Sequence, residues 1–126
     1  MKYYDIHSHL GKTSSGDENT PSELVTDLKR YGIEKVGISC LSGISTREQN
    51  DLIYRAMQEY PEVIEGYAFI NPKDAAAENE IDLCLGTYGM SAVKFHSWKH
   101  GYYPDNSGSL DRLLDKIDSY GVHVQT

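Results

Sequence analysis

Cysteine is scarce in this chain of 126 residues, with Cys40 and Cys84 as its only two. A disulfide framework in a small secreted domain uses more, and the paired spacings of a zinc finger are absent. Both residues are therefore read as buried free thiols. Basic residues are in the minority: 12 Lys and Arg stand against 19 Asp and Glu, for a formal net charge of -7. Phosphate recognition needs a basic surface, so neither nucleic acid nor an anionic membrane is expected as a partner. No apolar run approaches the ~18 residues of a membrane span. The opening Met1-Lys2-Tyr3-Tyr4-Asp5 lacks the apolar stretch of a secretory signal, and a cytoplasmic location is expected. No G-x-G-x-x-G follows the first strand pattern, which removes support for dinucleotide binding.

What is present is a regular alternation of strand and helix signals, spaced as in a parallel sheet. Tyr3 to His9 reads as the first strand, with Asp5, His7 and His9 on one face and Tyr4, Ile6 and Ser8 on the other. Thr20-Pro21-Ser22-Glu23 is a helix start with a capping box. Leu24, Leu28 and Tyr31 follow at helical spacing, up to the Gly32 stop. Lys35 to Cys40 is the second strand, and Ser45 with Glu48 opens a second helix that buries Leu52, Ile53, Ala56, Met57 and Tyr60. A third strand spans Val63 to Ile70, and a third helix carries Ile81, Leu85 and Tyr88. The fourth strand is Ser91 to His96. After a loop, Leu110, Leu113, Leu114, Ile117 and Tyr120 mark the fourth helix, and Val122 to Thr126 begins a fifth strand. With no hairpin signals, this order predicts an α/β domain over residues 1–126, a parallel sheet covered by helices.

His7 and His9 lie two apart at the C-terminal end of the first strand, where both imidazoles can reach one divalent cation. Neutral imidazole suits Zn²⁺, Mn²⁺ or Fe²⁺. Strand four ends in Val93-Lys94-Phe95-His96, so a further histidine is expected to converge from a second strand end, as a metal or acid–base site requires. The loop Ser97-Trp98-Lys99-His100-Gly101-Tyr102-Tyr103 gathers cationic and aromatic groups in an otherwise acidic chain. Lys99 and His100 can attract a carboxylate there, and Arg47 at the mouth of the second helix can do so bidentately.

The segment Asp5-Ile6-His7-Ser8-His9-Leu10-Gly11 resembles the metal motif of the amidohydrolase superfamily, in its amidohydrolase-2 branch. Tyr31-Gly32-Ile33-Glu34-Lys35-Val36, Tyr60-Pro61, Phe69-Ile70-Asn71-Pro72 and Gly89-Met90-Ser91-Ala92-Val93-Lys94-Phe95-His96 are similar to later segments of that branch. The resemblance implies a (β/α)8 TIM barrel, of which this chain supplies about the first four βα units plus strand five. It implies that His7 and His9 hold a divalent metal, zinc first, with manganese or iron as alternatives. It places the remaining ligands and the catalytic Asp beyond Thr126. His96 is the catalytic candidate among these residues. Lys94 reads either as a carbamylated metal bridge or as an interior lysine paired with a carboxylate such as Asp5.

The implied reaction is metal-dependent hydrolysis of a small, carboxylated cyclic ester or amide. The alternatives are a non-oxidative decarboxylase on the same scaffold, or a half-barrel that has no activity alone. A phosphoesterase that also opens with His-x-His would need an Asp-His at the end of strand two, where this chain has Ile38-Ser39-Cys40-Leu41. Either these residues are part of a longer chain, the first expectation, or copies associate through strand edges left open.

Overall fold

Two strand–helix–strand crossovers carry the chain from Tyr3 to Phe69. A computed structural model describes residues 2–12, 15–40, 42–43, 45–106 and 108–126, without the side chains of Asn106 and Ser109. The chain divides into two compact units, Met1–Tyr67 and Ala68–Thr126.

In the first unit, β1 (Tyr3–Lys12) pairs in parallel with β3 (Ile33–Cys40), and β3 pairs in parallel with β4 (Ile64–Phe69). The helices α1 (Pro21–Arg30) and α2 (Thr46–Glu59) form the crossovers, and both pack on β3. Each begins as its sequence predicts. The Thr20 hydroxyl accepts from the Glu23 amide and the Glu23 carboxylate accepts from the Thr20 amide; Ser45 and Glu48 repeat the arrangement. Pro21 occupies the first turn of α1, where its missing N–H costs nothing. Leu24, Val25 and Leu28 of α1, Ile53 and Ala56 of α2, and Val36, Ile38 and Cys40 of β3 are buried. Tyr31, at helical spacing from Leu24 and Leu28, is not buried with them but 68% exposed; the Arg30 guanidinium lies 5.7 Å from its ring centre.

On the neighbouring faces of β3 and β4, Gly37 is required by Tyr67. A Cβ at position 37 would collide with the tyrosine hydroxyl and ring. The Tyr67 side chain fills the space a larger residue would need, and burial raises its pKa.

One element contradicts the expectation of a sheet without hairpins. A two-residue strand, β2 (Glu18–Asn19), returns antiparallel onto the end of β1, pairing Gly11 with Asn19 and Lys12 with Glu18. Two residues of strand carry too little alternation to be read from sequence.

The second unit holds the parallel pair β5 (Ala92–Lys94) and β6 (His123–Gln125), in register Ala92–His123, Val93–Val124 and Lys94–Gln125. The Ile70 amide donates to the Lys94 carbonyl at 3.1 Å. The third helix departs from its prediction. Regular α3 (Ala77–Ile81) continues as a π-helical segment over Asp82–Thr87. The long helix α5 (Gly108–Asp118) faces it. Asp82 accepts from the Tyr120 hydroxyl at 2.7 Å and pairs with Lys116 at 2.8 Å, while Arg112 pairs with Glu78 at 2.6 Å. Between β5 and α5, where a plain loop is expected, the chain forms a four-residue helix, α4 (Ser97–His100), and a 3-10 turn at Pro104–Asn106. Among the described residues, no helix is long and apolar enough to cross a membrane.

Candidate metal-binding and acid–base site

The histidine pair of β1 stands at an irregularity in its strand. Asp5 is level with Val36 and Ser8 with Ile38, so three steps along β1 match two along β3. The extra residue interrupts the alternation predicted for Asp5, His7 and His9. The Asp5 carboxylate accepts from the His7 backbone amide at 3.0 Å, a local bond that suits the irregular backbone.

The imidazoles still stand side by side, with ring centres 4.9 Å apart and planes at 89°. His9 is level with Ser39 on β3. Its Nδ1 lies 3.2 Å from the Ser39 carbonyl oxygen and 3.3 Å from the Ser39 hydroxyl. A carbonyl oxygen can only accept, so Nδ1 carries the proton and Nε2 the lone pair. An imidazole that donates one nitrogen to a backbone carbonyl is in the tautomer a metal ligand requires. The Asn19 amide of β2 donates to the His9 carbonyl at 3.0 Å and holds the strand at this point. Two imidazole donors with one orientation fixed fit a divalent cation as part of its ligand set. Among the described residues, no three or more His, Cys, Asp or Glu side chains gather to hold one. Arg47 belongs to the same unit and is exposed in the first turn of α2.

In the second unit, His96, Lys99 and His100 share one turn. His96 caps α4, its Nδ1 accepting from the Lys99 amide at 3.3 Å. That bond leaves the proton on Nε2. Burial lowers the His96 pKa, and the charges of Lys94 and Lys99 lower it further. Lys94 is only 5% exposed, and burial lowers its pKa as well. None of the described ion pairs involves it.

Lys99 and His100 meet Phe69. The ammonium lies 5.1 Å from the phenyl centre and the imidazole 4.9 Å from it. The His100 Nδ1 is buried with no hydrogen-bond partner among the described residues. Burial lowers the His100 pKa, followed by the charges of Lys99, His96 and Lys73.

Two residues that position His9, Ser39 and Asn19, escape a reading of the sequence. Ser39 had one signal, as a polar residue near the end of an apolar strand whose register sets it beside His9. Asn19 had none, because its role depends on the β2 return.

No family model matches the sequence, and a search of curated proteins finds no significant relative. Solved structures do match the fold. A Staphylococcus aureus protein assigned as an amidohydrolase superposes with a TM-score of 0.81 at 15% identity, over 98% of this chain and 46% of its own. The 5-carboxyvanillate decarboxylase of Novosphingobium aromaticivorans gives 0.76 at 13% identity, over 97% and 49%. A protein assigned as a 2-pyrone-4,6-dicarboxylic acid hydrolase from Acinetobacter baumannii gives 0.74 at 20%, over 98% and 48%. The chain thus spans about half the length of these structures, and its fold is that of part of a (β/α)8 barrel.

Proposed function

We propose that this chain supplies the histidine-pair half of the active site of a metal-dependent hydrolase acting on a small, carboxylated cyclic ester or amide. The observation that carries the reading is the paired arrangement of His7 and His9, with the His9 tautomer set by the Ser39 carbonyl. The decarboxylase similar in fold has manganese bound, which supports a divalent ion here; zinc is the first choice for imidazole donors. Such an ion lowers the pKa of a bound water and polarises a carbonyl.

The chain's own residues take the remaining roles. His96 carries its proton on Nε2 and, with a pKa lowered by burial, is neutral near pH 7, so it can donate a hydrogen bond to an oxygen on which charge develops. In the second unit Lys99, beside His100, is the cation that can attract a substrate carboxylate, and in the first unit the exposed Arg47 offers a guanidinium suited to the same group. Decarboxylation of a carboxylated ring is the competing reaction on the same scaffold.

Calorimetric titration of the chain with zinc or manganese chloride tests the assignment. Weak binding at one site is expected, because two imidazoles fill half of a tetrahedral shell. The affinity should fall at least about tenfold in His7→Ala and in His9→Ala, in line with the loss of a ligand. It should be unchanged in His96→Ala. Binding that survives both substitutions places the metal elsewhere. With metal supplied, release of CO2 without ring opening would replace hydrolysis by decarboxylation.

A further inference from the structure

The short helix α4 separates two kinds of side chain. Lys99 and His100 turn to Phe69. Beside them lies a cavity of about 420 Å³, lined by Ser97, Trp98, Gly101, Tyr102, Tyr103 and Pro104. All six are uncharged, in a chain with 25% charged residues. A ligand placed there meets no carboxylate or ammonium in the lining. Trp98 is 88% exposed and Tyr103 79% exposed, so two broad π faces stand open at the rim. The backbone fixes the walls. Gly101 adopts φ 63°, a left-handed conformation, and its amide donates to the Ser97 carbonyl, as does the Tyr102 amide at 3.1 Å. These bonds fold Tyr102 and Tyr103 back toward Ser97 and Trp98.

The volume is in the range of small-ligand pockets, and aromatic walls with a few hydroxyls suit a flat ring better than a chain. Local charge discriminates among possible occupants. An aromatic cluster can hold a quaternary ammonium ion, but Lys94 and Lys99 act on neighbouring His96 as positive charges and disfavour a cation. The Trp98 and His96 ring centres are 6.3 Å apart, which joins the cavity to the acid–base candidate.

We infer that Trp98, Tyr102 and Tyr103 form a ring-binding subsite that accepts the uncharged cyclic part of the substrate beside His96, making Trp98 and Tyr103 specificity-determining residues. The assignment to substrate rests on the function proposed above. The ring-binding capacity itself does not, and the experiment separates the two.

Trp98 is the only tryptophan in the chain, so its emission reports on the cavity without metal or turnover. Phenol, a neutral ring without a carboxylate, is titrated with excitation at the red edge of indole absorption. A saturable change in Trp98 emission is expected. Tyr103→Ala should weaken it at least about tenfold, the scale of losing a well-packed aromatic contact. Tyr31→Ala, an exposed tyrosine of the other unit, should leave it unchanged. Tyr103 is itself exposed, so its removal leaves the core intact. The subsite is refuted if phenol gives no saturable change, or if Tyr103→Ala binds as the parent does. It is also refuted if choline or methyl glucoside saturates at lower concentration than phenol. Failure of metal binding at His7 and His9 would leave a positive phenol result standing, and the reverse holds too.

Discussion

His100 shows how one side chain makes a stretch of backbone sensitive to pH. Its ring lies against Phe69, its Nδ1 is buried without a described hydrogen-bond partner, and the charges acting on it are all positive: Lys99, His96 and Lys73. Each of these disfavours the imidazolium, so the folded-state pKa lies below the ordinary 6.5. The unfolded chain therefore binds this proton first as pH falls. Between 6.5 and the depressed folded value the unfolded state carries more protons, and stability rises with pH across that window. Above 6.5 the imidazole is neutral in both states and the penalty is absent; below the folded value it is constant. His96 is shifted in the same direction and adds to the effect. The urea midpoint should fall on going from about pH 7.5 to pH 5.5, the range in which histidine titrates. His100→Gln should flatten that dependence; an unchanged slope in the variant would place its origin in another group.

At the level of elements, the helix starts were the most legible part of the sequence. A hydroxyl three residues ahead of a glutamate specifies its own local geometry, and both capping boxes formed. Ser45→Ala should cost about 1 kcal/mol, the usual worth of an N-cap side chain. The denaturant midpoint would show it, and Ser45→Asp should restore most of the loss. The parallel strands were readable from their apolar runs, though their ends shifted both ways: Ser91 to His96 shrinks to Ala92–Lys94, while the first strand extends past His9 to Lys12 and the second begins at Ile33. Less legible were features set by distant partners. The π-helical segment at Asp82 is tied by Lys116 and Tyr120, more than thirty residues away. The irregularity at Ile6 and His7 is defined only by pairing with β3. In the site, the His7–His9 pair could be read from spacing. The Ser39 bond and the two-sided character of α4 could not, because both depend on which neighbours the fold supplies.

At the scale of the whole molecule, we propose that copies of the chain associate along β1. Among the described residues that strand pairs with β2 at Gly11 and Lys12, and Ile6 is 69% exposed, with Tyr3 and Tyr4 also open to solvent. Apolar side chains exposed along a strand favour the joining of another strand. Sedimentation velocity should show concentration-dependent association, and Ile6→Lys should shift the population toward monomer. Equal association by both proteins would exclude this edge as the interface. The Ser39 bond to His9 bears on how such a molecule diverges. Its acceptor is a main-chain oxygen, which every amino acid at position 39 possesses. Substitution there can alter the neighbouring hydroxyl but leaves the carbonyl in place. The proton on His9 is thus held by a group that substitution at position 39 does not remove, so the orientation of this ring depends on the path of the β3 backbone and not on the side chain it carries there.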